Sequence, residues 1–456
     1  MALGEGSLGL RGGGSGRGES LGPRPRARAI RPARHFAHLV SRSPDRDQGR
    51  HGVRARNAAR QEVRVGRADR RDADRPQRQD RDHLQLPGRA DHGGRSDAGL
   101  LDARGTLGNP VAANGTRTAV LKGPRKLEIV DRAKPEAGPG EVVVRTAATA
   151  VCHTDLSIYV GEHPGVKYPV VMGHESTGVI DSLGEGVSEV KPGQHVIINP
   201  IIACGRCDSC LRGAGNLCRV AGLFGREVEG SLSQYVKLPS QYIHVLPSRL
   251  PLEQATLIET LATVRHAQHR VGVSTGESVV VLGQGTAGLL HARLAVLTGA
   301  TVISVSRTRW KLEMAERMGA HHVVESSVDG AVEEVRRLTG GKGADVVIDA
   351  AGGAETLRAA MDMLRPGGRF SAFAVSHETV RGFSTFPLYF GEISIIGSRA
   401  LTPQDMNPSI QLIASGAVDV SGFITAKYPL TDSAAAFEEY ERNPSRILRI
   451  VIDSGS

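Results

Sequence analysis

The sequence predicts an α/β chain: a β-barrel-like domain of mainly antiparallel pattern, then a doubly wound parallel-sheet domain, both preceded by a disordered Arg-rich N-terminal extension. Three observations predict this. The first quarter carries 23 Arg, no Lys and 13 Asp+Glu with no apolar period of helix or strand. From about Thr116, short β-rich runs are punctuated by Gly and Pro. From about Ser274, continuous apolar strands alternate with helices.

Residues 1–115 have a net charge of +10, one Phe (Phe36) and no Cys, Tyr or Trp, whereas the rest of the 456-residue chain sums to −1. Such a composition cannot bury enough apolar surface to offset chain entropy, so disorder is expected. Its acidic residues exclude a transit peptide, and no apolar run near the start fits a secretory signal. Two readings stay open for it: an Arg-rich arm for RNA or anionic surfaces, and a non-functional extension from a misplaced start. The nearly neutral body gives no reason to expect nucleic acid. No run of about 18 apolar residues occurs, so no transmembrane helix is expected.

In the barrel-like part, strands are expected over 117–121, 141–147, 170–172, 178–181, 195–198 and 232–237. Gly138-Pro139-Gly140 and Lys191-Pro192-Gly193 provide turns between them. A Gly-rich, cysteine-bearing lobe at about 200–220 interrupts the pattern. Further on, strands at 278–282, 301–305, 322–324, 345–349 and 370–375 alternate with helices at 286–297, 309–318, 328–338 and 355–364, and 393–396 is the last strand-like run. Apolar strands between helices mean a parallel sheet covered on both faces. The expected domains are 116–265, 266–398, and a C-terminal stretch, 399–456, of irregular short elements returning to the first domain.

Strand 278–282 runs into Gly283-Gln284-Gly285-Thr286-Ala287-Gly288. Between a strand and a helix, this G-x-G-x-x-G is a dinucleotide fingerprint: the glycines allow a tight turn and close backbone approach to a pyrophosphate. A carboxylate for the ribose 2′-OH is expected at the end of the second strand when NAD is bound. Ser306 and Arg307 stand there instead, with Arg309 and Lys311 close behind. Ser plus Arg suits a 2′-phosphate, so NADP is favoured. The alternative is that Arg307 stacks on adenine and both cofactors bind.

All five cysteines read as metal ligands. Cys204, Cys207, Cys210 and Cys218 have the spacing C-x2-C-x2-C-x7-C, which wraps a tetrahedral structural zinc. The ferredoxin cluster run has x3 and then Pro at its end, unlike the x7 and Arg219 here. The fifth, Cys152, stands in Cys152-His153-Thr154-Asp155, and with His174, Glu175 and the further carboxylate Glu259 offers thiolate, imidazole and carboxylate ligands. A zinc with an open position is a Lewis acid for an alcohol or carbonyl, and a nicotinamide beside it supplies the redox step. Asp155 is placed to accept the second imidazole N–H of His174, and Thr154 to take an alcohol proton. Cysteines committed to metal suit a reducing cytoplasm.

Gly173-His174-Glu175-x2-Gly178-x5-Gly184-x2-Val187, with the cysteine lobe, the glycine turn and Gly397-Ser398, resembles the zinc-dependent medium-chain dehydrogenase/reductase family over about 116–456. The resemblance implies a GroES-like catalytic domain, a Rossmann domain, an active site in the cleft between them, a small-molecule alcohol or polyol substrate, and a homodimer or homotetramer. Without a second catalytic cysteine, the chain looks like the sorbitol, butanediol and threonine dehydrogenase branch. Glu259 matches the Glu of that branch's E-P-L-A segment, with Thr260 in place of its proline. The resemblance places His153 at a pyrophosphate contact, Thr154 at the proton-relay hydroxyl, and Ser157 where several members carry a relay histidine. The implied function is hydride transfer between an alcohol CH–OH and NAD(P). The other reading is a non-catalytic zinc- and nucleotide-binding protein of the same fold.

Overall fold

The computed structural model describes residues 115–455. The disordered extension expected over 1–115 lies, but for Gly115, outside the described residues.

The barrel-like half opens with β1 (Gly115–Leu121), β2 (Leu127–Ala133) and β3 (Glu141–Ala150), followed by helix α1 (His153–Val160) and strands β4 (Val170–Val171), β5 (Glu175–Leu183) and β6 (His195–Ile198). The lobe holds β7 (Ile201–Ile202), the short helix α2 (Asp208–Leu211) and β8 (Gly222–Leu223). Then come β9 (Tyr235–Pro239), β10 (Ile243–Val245), α3 (Leu252–Ala255) and α4 (Leu257–Val271). Strand β3 is buried on both faces over most of its length, and Val142 and Val144 on one of them join Ile180, Val196 and Leu238 in a core.

The second half alternates β11 (Ser278–Leu282), α5 (Thr286–Thr298), β12 (Thr301–Ser306), α6 (Arg309–Arg317), β13 (His322–Glu325), α7 (Val332–Leu338), β14 (Ala344–Asp349), α8 (Ala354–Met363), β15 (Leu364–Ala372), α9 (Phe386–Gly391) and β16 (Ser394–Gly397). Its six strands are parallel in the order β13-β12-β11-β14-β15-β16. That order reverses direction beside β11, the crevice where dinucleotides bind in such sheets. Val279 to Leu282 are fully buried because helices cover both faces.

Two expectations are corrected. First, α4 runs unbroken across the boundary expected at 265/266 and packs its apolar face into the core shared with α5 and the later helix, burying Leu257, Ile258, Leu261 and Val264. Second, the C-terminal stretch is regular: α10 (Pro403–Ala414), β17 (Ile424–Pro429), α11 (Ser433–Arg442) and β18 (Arg449–Asp453). Pro403 opens α10 where no amide partner is needed, and Pro408 sits inside it, which hides the helix from a sequence reading. The expected return is made by β18, which pairs antiparallel with β3, Val451 opposite Ala150.

Candidate active site

Cys152 stands where β3 gives way to α1. Its backbone N–H donates to Asp155 Oδ2 at 3.1 Å. Asp155 Oδ1 accepts the Gly173 N–H at 3.2 Å and lies 3.2 Å from His174 Nδ1. One buried carboxylate thus ties the Cys152 turn to the Gly173-His174-Glu175 loop and fixes the imidazole with its other nitrogen free to act as a ligand.

The ligand atoms of Cys152, His174 and Glu175 lie within 4.8 Å of one another. Glu259, in the first turn of α4, lies outside that group, yet close enough to feel it: burial, then the Glu175 carboxylate, push its carboxyl up to about 8. Burial and Glu175 likewise raise the Cys152 thiol. Burial alone would lower His174, but Asp155 and Cys152 outweigh it and hold the imidazole well above its ordinary value. Metal-type ligands that crowd together and cling to protons are a set whose protons a divalent cation would displace.

Sequence reasoning missed Arg449. This 4 %-exposed residue opens β18 and places Nη1 2.6 Å from Glu175 Oε2. The same nitrogen donates to Val151 O at 3.1 Å, and Nη2 donates to Thr260 Oγ1 at 2.7 Å. A buried guanidinium is tolerable only with such partners. The available signal was a lone Arg at the head of an otherwise apolar run, Ile450-Val451-Ile452. Thr260, where a proline was expected, is one of the groups that hold it.

In the lobe, the sulfur atoms of Cys207 and Cys210, Cys207 and Cys218, and Cys204 and Cys210 are separated by 3.5, 3.9 and 4.0 Å. Four thiolates at zinc bond lengths around a tetrahedron lie about 3.8 Å apart, so the set fits that ion. Backbone amides of Cys210 and Arg219 lower Cys207 to about 6, which favours the thiolate form a metal needs.

At the glycine turn, Gly283 has φ +87°, and a Cβ on Gly288 would sit 1.9 Å from Gly283 O. Helix α5 therefore packs backbone-to-backbone on the turn. A Cβ at Gly285 would meet nothing within 4 Å, leaving room for a phosphate at the helix N-terminus. Ser306 ends β12 and accepts the Thr308 N–H at 3.1 Å. Arg307 beside it is exposed, while Arg309 pairs with Glu313 and Glu316 at 3.3 and 3.7 Å.

Three expected roles meet different geometry. Lys311 does not reach toward this crevice: it is 8 % exposed, and its Nζ donates to the carbonyls of Pro444 and Ile447 at 2.8 and 3.0 Å, an ammonium kept buried by two fixed acceptors. Ser157 spends its hydroxyl proton on Thr154 O at 2.9 Å inside α1, so it does not complete an outer relay. His153 is exposed and rests edge-on against Tyr440, ring centres 6.1 Å apart. Thr154 is half-buried in the first turn of α1, two residues from Cys152.

The alcohol dehydrogenase GroES-like domain matches residues 138–248, and the zinc-binding dehydrogenase domain matches 287–415. D-arabitol-phosphate dehydrogenase of Enterococcus avium is 31 % identical over 318 residues, covering 69 % of this chain and 90 % of the relative. D-xylulose reductase A of Aspergillus oryzae is 33 % identical over 348 residues, covering 73 % and 96 %. Among solved structures, an alcohol dehydrogenase from Escherichia coli CFT073 complexed with NADH superposes with TM-score 0.70 at 26 % identity, over 75 % of this chain and all of that one. A zinc-binding dehydrogenase-type protein from Sinorhizobium meliloti 1021 bound to NADP superposes with TM-score 0.69 at 29 % identity, over 74 % and 99 %.

Proposed function

This chain belongs to the zinc-binding alcohol dehydrogenases of the medium-chain dehydrogenase/reductase family, and from that premise we propose that it oxidises a polyol with NADP as preferred acceptor. It is a zinc- and NAD(P)-dependent oxidoreductase of alcohols or polyols. The single observation carrying the NADP preference is the end of β12, where Ser306 and an exposed Arg307 replace the carboxylate that would repel a 2′-phosphate. The polyol reading is supported by relatives named for arabitol phosphate and xylulose.

Cys152, His174 and Glu175 would hold the catalytic zinc, with Glu259 as a neighbouring carboxylate, and Cys204, Cys207, Cys210 and Cys218 the structural one. Bound zinc supplies a Lewis acid that polarises the substrate oxygen, and the nicotinamide supplies the hydride acceptor. The chain's own residues do the rest. Asp155 orients His174, Arg449 holds Glu175, and Thr154 Oγ1 relays the substrate hydroxyl proton, accepting it while releasing its own hydroxyl proton to solvent. Gly283, Gly285 and Gly288 admit the pyrophosphate.

The partner surface we propose is a second copy of this chain. The outer edge of β16 is unpaired among the described residues, and Phe386, Tyr389 and Phe390 on the adjacent α9 are 63, 83 and 77 % exposed. An open edge beside an aromatic patch needs a cover, and a homodimer provides one. Five thiols without a disulfide favour a cytoplasmic setting.

The test is the initial rate of nicotinamide reduction by the full-length protein with polyols, secondary alcohols and L-threonine, each with NADP and NAD. Turnover faster with NADP and abolished in Cys152→Ser is expected. Turnover with NAD alone would overturn the cofactor preference.

A further inference from the structure

Three side chains of the dinucleotide-binding half end on the backbone carbonyls of one five-residue stretch, 444–448. Thr286, the first residue of α5, donates to Leu448 O at 2.8 Å. Trp310 Nε1–H donates to Ser445 O at 3.0 Å. Lys311 Nζ donates to Pro444 O and Ile447 O. The stretch is a turn between α11 and β18. The next residue is Arg449, whose guanidinium holds Glu175, Thr260 and Val151. Hydrogen bonds from α6, a short run of backbone and the Arg449–Glu175 ion pair therefore lead, from just beyond Arg307, to Glu175.

We propose that Lys311 is a positioning residue: by gripping 444–448 it sets Arg449 against Glu175, so the dinucleotide-binding half fixes the geometry of the metal-site carboxylate. This rests on Glu175 belonging to the metal site, as read above. Lys311 suits the task because two acceptors at fixed distances hold one compact ammonium in place. Trp310 is the only tryptophan in the chain, so its emission reports on this contact directly.

The experiment uses full-length Lys311→Met loaded with zinc. A displaced carboxylate should lower kcat roughly tenfold or more, while the dissociation constant for NADP stays within about twofold because no contact to the dinucleotide is removed. Zinc should pass to the chelator 4-(2-pyridylazo)resorcinol several-fold faster, and Trp310 emission should shift to the red as Ser445 lets go. Lys311→Arg should restore part of kcat, since its fork also reaches both carbonyls. Trp310→Phe removes one bond of the four and should lower kcat by a smaller factor, which keeps the idea testable should Lys311→Met fold poorly. A weaker NADP affinity with kcat and zinc release unchanged would make Lys311 a dinucleotide ligand and overturn the proposal. Zinc release unaltered in Lys311→Met but faster in Arg449→Met would also overturn it. Zinc release unaltered in both variants would instead remove Glu175 from the metal site, and the proposal with it.

Discussion

At the scale of single residues, charge and burial decide the behaviour. Arg307→Ala should raise the Michaelis constant for NADP roughly 10- to 100-fold, the worth of one charge-assisted hydrogen bond, and leave that for NAD nearly unchanged. Steady-state kinetics with both cofactors checks this. Arg449→Met should destabilise the fold by roughly 3–5 kcal/mol, because Glu175 would stay buried without its counter-ion; urea unfolding reads it. His291, fully buried on α5 against Gln268 and Phe373, is lowered by burial to about 3. Its folded value lies below the unfolded one of about 6.5, so below that pH the unfolded chain binds the extra proton. Stability should be full above about 6.5 and fall with pH by up to roughly 1.4 kcal/mol per unit down to about 3. His291→Leu should flatten this slope of the urea midpoint against pH. Zinc binding runs the same way: His174 and Cys152 hold protons tightly, so dialysis against a chelator should strip the metal faster at about pH 6 than at about pH 8.

Elements divided sharply in how far the sequence exposed them. Strands β6 and β11 were legible to the residue, since apolar runs between turn signals have one reading. Helix α10 was not, because two prolines disguise a helix whose first turn tolerates one of them and whose packing on α4 overrides the other. The site shows the same division. Side chains that travel as motifs, Cys152, the His174-Glu175 pair and the lobe cysteines, could be picked out because metal-type chemistry shows in their spacing, and they gather in two clusters. Arg449 could not be assigned a partner, since its pairing with Glu175 exists only after β18 lies down beside β3. Lys311 was misassigned because proximity in sequence to Ser306 says nothing about where a long side chain turns. At this scale the glycine turn supplies a prediction. Gly288→Val would drive a side chain into Gly283 O, 1.9 Å from even a Cβ, and lift α5 from its turn. The variant should lose dinucleotide binding by at least tenfold in calorimetry, while the lobe keeps its zinc.

For the whole molecule, β18 pairs with β3, the strand that leads into the Cys152 turn, and Arg449 at its head meets Glu175. If β16 and α9 form the dimer contact, Phe390→Asp in a full-length chain should halve the mass seen in light scattering. The closing strand also orders the molecule's biosynthesis. Cys152, His174 and Glu175 leave the ribosome long before Arg449, which follows Glu175 by 274 residues. Until then Glu175 has no counter-ion, and the carboxylate stays solvated or protonated rather than taking its place in the core. The dinucleotide-binding half waits as well, because α5 and α6 share a core with Leu401, Met406 and Ile410, all beyond Gly397. A chain that has not yet reached residue 449 therefore carries Cys152, His174 and Glu175 without the guanidinium that seats the last of them.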